Sequence, residues 1–387
     1  MTEPATPEIS SNEPVIEAID LRKHFVTKRP LFGPPTIVRA VDGINLRIAR
    51  GETFSIVGES GCGKSTLARL LIRLLDPTEG SVVYEGRDIA ALPAAEMRGL
   101  RRDLQFVFQD PFSSLNPRMT VGALVEEPMR SHGIGTPDER RAEVSRLLRR
   151  VGLRPEFADR YPHEFSGGQR QRIGIARALA TGPKVLIGDE PVSALDVSVQ
   201  AQVINLLEDL KEEFGLTLVV IAHDLAVVRH MSDRVGVMYL GEMVEIGPAE
   251  AFFQRPLHPY SRALLAAIPA PDPRGRHNLA PPLVGDIPNP TAPPPGCRFH
   301  TRCPFADERC KVERPMLRPA GEGRQVACHH FETLPASEGL PPPPLRAPHV
   351  ERRFALYRAL RAQETPQKTP QGAIAPHREP SSRGDQS

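Results

Sequence analysis

The sequence predicts an α/β protein in which helices cover a mostly parallel sheet, followed by a small C-terminal extension rich in proline and cysteine. Across residues 15–265, apolar strand-like segments alternate with amphipathic helix-like segments over short connections. This alternation is typical of parallel sheets with helices on their faces. Of the 42 prolines, 23 fall in residues 266–387, so a different kind of structure is expected from about residue 266.

The predicted strands are short, and the central ones are mostly apolar, as strands buried on both faces are. They are residues 15–21, 44–48, 53–57, 185–188 and 217–222. The predicted helices carry apolar residues at helical spacing. They are residues 64–75, 140–151, 169–181, 200–214 and 225–231. No internal repeat is visible, so we expect one such domain.

Composition excludes several classes of protein. The 49 Lys and Arg residues nearly balance 47 Asp and Glu residues, which argues against a protein that coats nucleic acid. No apolar run approaches the ~18 residues of a spanning helix, and the N-terminus does not resemble a secretory signal. We therefore expect a cytosolic chain that meets membranes only through partners. Five cysteines in such a chain do not indicate a disulfide framework.

The two ends of the chain have the composition of loosely structured segments. Residues 1–13 are expected to be disordered, and residues 335–387 mix proline, glutamine, serine and charge in the same way. The proline runs at 293–295 and 341–344 favour extended backbone without internal hydrogen bonds. A short helix over 350–363 is also compatible with the sequence.

A phosphate-binding loop follows the strand 53–57. The segment from Gly58 to Ser65 fits G-x-x-x-x-G-K-[ST] and lies between a strand and a helix, as that motif requires. Glycines let backbone N–H groups face phosphate oxygens, and the start of the helix favours an anion. Lys64 supplies charge to the β- and γ-phosphates, and the Ser65 hydroxyl is a ligand for Mg²⁺. The predicted nucleotide-binding residues here are Gly58, Glu59, Ser60, Gly61, Cys62, Gly63, Lys64, Ser65 and Thr66.

Two acids complete the predicted site. The strand 185–188 leads directly into Asp189 and Glu190, and buried acids are costly unless they meet cations. Asp189 is placed to hold Mg²⁺, and Glu190 is the candidate to polarise the attacking water.

The segment Phe165 to Arg172 indicates which family of phosphate-loop proteins the sequence resembles. Its sequence FSGGQRQR strongly resembles the LSGGQ signature of the nucleotide-binding subunits of ABC transporters, with Phe in place of the first Leu. The resemblance implies an ABC-type fold with an antiparallel β part and a helical subdomain over about 95–180. It also implies that two domains meet head to tail, so that each signature closes on the other subunit's ATP. The residues concerned are Ser166, Gly167, Gly168 and Gln169.

Further positions match that family's motifs. Gln109 matches the glutamine that senses Mg²⁺ and the attacking water, and His223 matches the histidine that contacts the γ-phosphate and supports the catalytic Glu190. Asp196 matches the loop that joins the two halves of the dimer. Phe25 matches the aromatic residue that stacks on adenine, although aromatic residues often simply pack.

Three segments resemble oligopeptide and dipeptide importers, and in particular the second of their two ATPase subunits, often lettered F. They are residues 114–118, 190–199 and 258–260, and the likeness covers about 15–330. It implies an ATPase domain over 14–265 and an importer-type extension over 266–334. The implied partners are a sister ATPase, two membrane permeases and, indirectly, an external solute-binding protein, at the cytoplasmic face of the membrane, with no nucleic acid.

The sequence therefore predicts an ATP- and Mg²⁺-dependent subunit that powers peptide import. One alternative is an importer ATPase for nickel or another small solute, because nickel systems share much of this pattern. The other is a soluble ABC ATPase acting on DNA or ribosomes. Such proteins usually carry two ATPase domains or a long coiled coil, and neither is visible here.

Four cysteines cluster in the extension. Cys297, Cys303, Cys310 and Cys328 are spaced C-x₅-C-x₆-C-x₁₇-C, and four soft ligands so close suggest a metal site. In peptide-importer ATPases such cysteines are associated with a [4Fe–4S] cluster, which would give a coreless segment folding free energy. Zn²⁺ with a nearby histidine, or four free thiols, remain the alternatives.

Overall fold

The computed structural model describes residues 14–28, 35–193, 195–268 and 285–335. The predicted disorder of residues 1–13 and the predictions for the tail beyond residue 335, including a helix over 350–363, lie outside the described residues. The predicted boundary near residue 265 falls at the end of a helix, Pro259–Ala266, and remains a prediction.

In the part of the chain that the structure describes, the larger sheet has eight strands. In chain order they are β3 (Thr53–Val57), β6 (Leu104–Val107), β7 (Val185–Asp189), β8 (Thr217–Ile221), β9 (Arg234–Tyr239), β10 (Glu242–Pro248), β11 (Arg318–Pro319) and β12 (Gln325–Val326). Their order across the sheet is β11-β12-β10-β9-β3-β8-β7-β6. The five strands from β9 to β6 are parallel, and the other three are antiparallel. This confirms the predicted α/β class with a mostly parallel sheet.

A second sheet is antiparallel throughout, in the order β2-β1-β4-β5. Its strands are β1 (Pro14–Lys28), β2 (Thr36–Ala49), β4 (Glu79–Tyr84) and β5 (Arg87–Asp88). The first two strands are much longer than the apolar segments that predicted them. They continue past those segments because they pair with each other along nearly their whole length, from Pro14 opposite Ala49 to Lys28 opposite Thr36.

Helices cover both faces of the larger sheet. The α-helices of the described residues are α1 (Lys64–Leu71), α2 (Ala94–Leu100), α3 (Pro111–Ser114), α4 (Val121–Ser131), α5 (Pro137–Arg150), α6 (Gly167–Leu179), α7 (Val197–Phe214), α8 (Leu225–Met231), α9 (Ala249–Gln254), α10 (Pro259–Ala266) and α11 (Glu308–Val312). Alternate residues of β8 face opposite cores: Val219 packs on the side of α1, and Leu218 on the side of α6. Among the described residues, no helix is both long and apolar enough to cross a membrane.

Helix α1 ends earlier than its apolar pattern predicted. It stops at Leu71 rather than near residue 75, because Arg73 adopts a left-handed conformation with φ of 50°. The N–H of Leu74 then donates to the carbonyl of Arg69 at 2.8 Å, which closes the helix with a reversed turn.

The C-terminal extension adds to the larger sheet rather than standing apart from it. Strand β12 pairs with β10, with Val326 opposite Glu245, and β11 pairs with β12. The ring of Phe299 packs against Tyr239 and Tyr260, with centroid distances of 5.3 and 5.4 Å, and the two tyrosine rings also contact each other. A segment with little core of its own is thereby anchored on the core of the ATPase domain.

Candidate functional site

The phosphate loop connects β3 to α1 and requires glycine at two points. Gly58 and Gly63 have φ angles of 151° and 107°, which residues with a Cβ rarely adopt. A Cβ on Gly58 would lie 2.2 Å from the carbonyl oxygen of Met238, and one on Gly63 would lie 2.0 Å from that of Ala40. Both glycines are therefore fixed by close backbone approach as well as by conformation.

The loop forms one wall of an open cavity of about 260 Å³. Its lining comprises residues 38–40, 60–66, Gln109, Glu190, 240–241 and Pro290. Lys64 is buried beneath the loop, with Nζ donating to the carbonyl oxygens of Gly58 at 2.8 Å and Glu59 at 2.9 Å. A cationic donor at the start of a helix, beside a glycine-rich loop, is the arrangement that binds phosphate.

Ser65 and Asp189 form a pair of oxygen ligands at the end of β7. The Ser65 hydroxyl donates to Oδ1 of Asp189 at 2.7 Å, and the carboxylate is only 1% exposed. Burial raises the pKa of Asp189, while the Ser65 hydrogen bond and Arg69, 3.6 Å away, oppose that rise. Ser65 lines the cavity and Asp189 lies directly behind its hydroxyl, a pair that suits Mg²⁺, which prefers oxygen ligands.

Three neighbouring strands bring the predicted catalytic side chains together. Gln109 follows β6, Glu190 follows β7 and His223 follows β8, and parallel strands end at the same edge. Oε2 of Glu190 accepts a hydrogen bond from Nε2 of Gln109 at 2.9 Å and lies 3.4 Å from Nδ1 of His223. The backbone of Glu190 is left-handed, with φ of 48°, and its N–H donates to the Ile221 carbonyl at 3.0 Å. The carboxylate is thus aimed at the cavity by its own backbone and by two side chains.

The signature segment begins helix α6. The hydroxyl of Ser166 accepts from the N–H of Gln169 at 3.4 Å, and the Gln169 side chain accepts from the N–H of Ser166 at 3.0 Å. Gly168 packs against α7, where a Cβ would lie 2.4 Å from Val199. Phe165, the departure from the family signature, is buried against the ring of Phe157. Ser166 itself is exposed and is not among the residues that line the cavity, and its binding role stays a prediction.

Phe25 and Asp196 lie at the margins of this arrangement. Phe25 pairs in register with Val38, which lines the cavity, and its ring is 36% exposed. Asp196 is the exposed residue that precedes α7. Their predicted contacts, with adenine and with the partner domain, stay predictions.

Sequence reasoning missed two residues that hold the phosphate loop. The carboxylate of Glu59 accepts two hydrogen bonds from the guanidinium of Arg302, and the N–H of Glu59 donates to the hydroxyl of Tyr260 at 2.8 Å. Tyr260 belongs to a segment that carried the family resemblance but received no role. Arg302 had no sequence signal, since 243 residues separate it from Glu59.

The extension brings Cys297, Cys310 and His330 close together. The N–H of Cys297 donates to the carbonyl of Cys310 at 2.8 Å, and Sγ of Cys310 lies 3.4 Å from Nε2 of His330. Asp307, Cys310 and His330 place ligand atoms within 4.8 Å of one another. Burial raises the pKa of Cys297 to about 12 and that of Cys303 to about 11, so these thiols need a cation nearby to ionise. Asp307, Cys310 and His330 are thus a possible metal site, and the binding of a [4Fe–4S] cluster by the four cysteines stays a prediction.

Comparison with known proteins agrees with this geometry. The family model described as ABC transporter matches residues 41–193. A dimeric ATP-binding cassette, solved in a post-hydrolysis state with ADP and Pi bound, is 34% identical with a TM-score of 0.55, over 60% of this chain and 98% of that one. Fold and site together define an ATPase of the ABC class.

The extension specifies the group within that class. The model described as Oligopeptide/dipeptide transporter, C-terminal region, matches residues 244–310. The oligopeptide transport ATP-binding protein AppF of Bacillus subtilis is 52% identical over 83% of this chain and 99% of that protein. The di/tripeptide transport ATP-binding protein DppF of Pseudomonas aeruginosa is 51% identical over 83% and 98%. The chain belongs to the oligopeptide/dipeptide family of ABC transporter ATP-binding proteins, and as an ABC ATPase it uses ATP and Mg²⁺.

Proposed function

We propose that this chain hydrolyses ATP to power import of dipeptides or oligopeptides through an ABC transporter. The observation that carries the proposal is the combination of a complete phosphate-loop and Glu190 site with the oligopeptide/dipeptide C-terminal region in one chain. Relatives about 50% identical over most of this chain are named as peptide transport ATP-binding proteins, which supports the same solute class.

The proposed roles of the residues follow from their contacts. Lys64 and the amides of the phosphate loop bind the phosphates of ATP, and Ser65 with Asp189 holds Mg²⁺. Glu190 accepts the proton of the attacking water, which makes water a better nucleophile. Gln109 and His223 hold the Glu190 carboxylate toward the cavity, as their 2.9 and 3.4 Å contacts with Oε2 indicate.

The proposed working unit is a pair of ATPase domains on two membrane permeases, at the cytoplasmic face of the membrane. Ser166 to Gln169 lie at the exposed start of α6, where a partner domain's nucleotide has access to them. The dimeric state of the similar cassettes supports this pairing. ATP drives closure only if it binds the closed pair more tightly than the open one. We propose a sister ATPase as the partner and an external solute-binding protein as the source of peptide.

The proposed division of the chain is an ATPase domain over 14–265 and an extension over 266–334 that holds a metal. The electrostatic interaction of Cys297 with Cys303, Cys310 and Cys328 supports a [4Fe–4S] cluster. The group of Asp307, Cys310 and His330 supports Zn²⁺ instead. Metal analysis and a visible absorption spectrum of protein purified without oxygen separate the two. A colourless, metal-free sample would refute both.

Reconstitution tests the transport function. The full-length chain is assembled in vesicles with its permeases and sister ATPase, and ATP hydrolysis is measured with peptide-loaded solute-binding protein. We expect peptide to stimulate hydrolysis, and we expect a Lys64→Ala control to lose that stimulation. Stimulation by Ni²⁺ but not by peptide would establish the nickel alternative, and hydrolysis indifferent to permeases would refute a transport role.

A further inference from the structure

A short segment of the extension, from Cys297 to Cys303, sends three buried side chains into the ATPase domain. The Arg298 side chain is 9% exposed, the Arg302 side chain 5%, and Phe299 only 2%. Arg298 forms ion pairs with Asp42 and Glu242, so it joins the segment to β2 and β10. The segment is therefore held rigidly against the domain that binds the nucleotide.

Arg302 reaches the phosphate loop itself. Its two terminal nitrogens donate to the two carboxylate oxygens of Glu59 at 2.7 and 3.0 Å. A bidentate pair between guanidinium and carboxylate fixes both position and orientation, and screening is weak because the Arg302 side chain is buried. Burial opposes the charge of Arg302, but the Glu59 hydrogen bonds raise its pKa further above the ordinary value.

Glu59 connects this ion pair to the phosphate-binding lysine. Its N–H donates to the hydroxyl of Tyr260 at 2.8 Å, and its carbonyl accepts from Nζ of Lys64 at 2.9 Å. Tyr260 in turn packs on Phe299, three residues before Arg302. The side chain, N–H and carbonyl of Glu59 are thus all fixed, two of them by residues of the C-terminal third of the chain.

We propose that Arg302 is a positioning residue for ATP binding, acting through Glu59 on the conformation of the phosphate loop. A glycine-rich loop loses conformational freedom when it closes around phosphates, and a loop already ordered by Arg302 loses less. This inference deepens the proposed function, rests on its ATPase site, and gives the extension a part in nucleotide binding beyond its own folding.

Variants on both sides of the ion pair test the inference in the full-length protein. Arg302→Met removes the charge, Arg302→Lys keeps the charge but loses the bidentate fork, and Glu59→Gln weakens the pair without touching the extension. The matched control is Arg309→Met, because Arg309 makes a bidentate but exposed pair with Glu313 in the same extension. The measurements are the Kd of ATP, the KM and kcat of hydrolysis, and thermal unfolding.

For Arg302→Met we expect the Kd and KM for ATP to rise roughly tenfold, the scale of losing one buried charge-assisted pair. We expect kcat to change by less than about twofold, because the loop binds ground state and transition state alike. Arg302→Lys should recover part of the affinity. The double variant of Arg302→Met and Glu59→Gln should have a Kd for ATP no higher than the higher of the two single-variant values, since both substitutions remove the same interaction.

A Kd for Arg302→Met equal to that of Arg309→Met would overturn the inference, and so would additive effects in the double variant. Loss of kcat and thermal stability together in all the Arg302 and Glu59 variants would show a purely structural role and would also overturn it. Failure of the proposed function is distinguishable, because the wild-type protein would then fail to hydrolyse ATP or to respond to peptide.

Discussion

Replacement of Glu190 by glutamine tests the catalytic assignment with little structural disturbance. In the wild type, Nε2 of Gln109 donates to Oε2 of Glu190 at 2.9 Å. The glutamine side chain has the same size, and its amide oxygen can accept this hydrogen bond in place of Oε2. Nδ1 of His223 lies 3.4 Å from that same Oε2, so the amide oxygen at this position keeps both contacts and the amide nitrogen takes the place of Oε1. The strained backbone, with φ of 48°, is held by the Ile221 carbonyl and does not depend on the side chain. The variant therefore loses the base and keeps the geometry.

The expected magnitude follows from that loss. A positioned general base contributes about 10²- to 10⁴-fold, so kcat should fall by that factor. Lys64, Ser65 and Asp189 are untouched, so the Kd for ATP should stay within about twofold. A slow hydrolytic step with normal binding should also stabilise the ATP-bound pair of domains.

Phosphate release under saturating MgATP measures kcat, and equilibrium binding of ATP measures Kd. Asp233→Asn is the control, because Asp233 is an exposed carboxylate at the opposite end of the sheet that pairs with Lys211. Asparagine there keeps the acceptor for the N–H of Thr53. Turnover of Glu190→Gln at the wild-type rate would remove Glu190 from the role of base, and equal losses in both variants would show that the effect is not specific.

Gly63→Ala should raise the Kd for ATP roughly tenfold or more, because the added Cβ would lie 2.0 Å from the Ala40 carbonyl oxygen on a backbone with φ of 107°. Titration with ATP measures this Kd. The control is Gly174→Ala, because a Cβ there meets nothing within 4 Å. Phe299→Ala should lower the free energy of unfolding by about 3–5 kcal/mol in denaturant melts, and a loss below about 1 kcal/mol would contradict its place in the aromatic cluster. Burial lowers the pKa of His258 to about 3. Below about pH 6.5 the unfolded chain therefore binds a proton at this histidine that the folded chain does not bind, and the free energy of unfolding falls as the pH falls. The variant His258→Asn keeps a side-chain acceptor for the N–H of Tyr260. Between pH 7.5 and pH 5.0, its free energy of unfolding should fall by about 2 kcal/mol less than that of the wild type, and equal pH slopes would contradict this.

Local sequence was enough to predict the parts of the site that depend on strand order and short spacing. The family resemblance predicted that His223 supports Glu190, and the structure places Nδ1 of His223 3.4 Å from the Glu190 carboxylate. The G-x-x-x-x-G-K-S spacing predicted a loop between a strand and a helix. As predicted, β3 ends at Val57 and α1 begins at Lys64.

Features that depend on distant contacts could not be read in the same way. No periodicity marks the two-residue strands β11 and β12, which form only because β10 offers an edge. The ion pair of Arg302 with Glu59 joins residues 243 positions apart, so no local pattern predicts it. The cysteines around Arg302 predicted metal binding rather than a contact with the phosphate loop. The early end of α1 depends on the left-handed Arg73, a residue type that carries no turn signal.

The most direct test of the account is a structure of the assembled transporter held with MgATP by Glu190→Gln. We predict that the nucleotide lies between Lys64 of this chain and the signature segment of the sister ATPase, while Ser166 of this chain contacts the sister's nucleotide. Nucleotide held by one subunit alone, with Ser166 to Gln169 remote from any phosphate in the closed complex, would contradict the account.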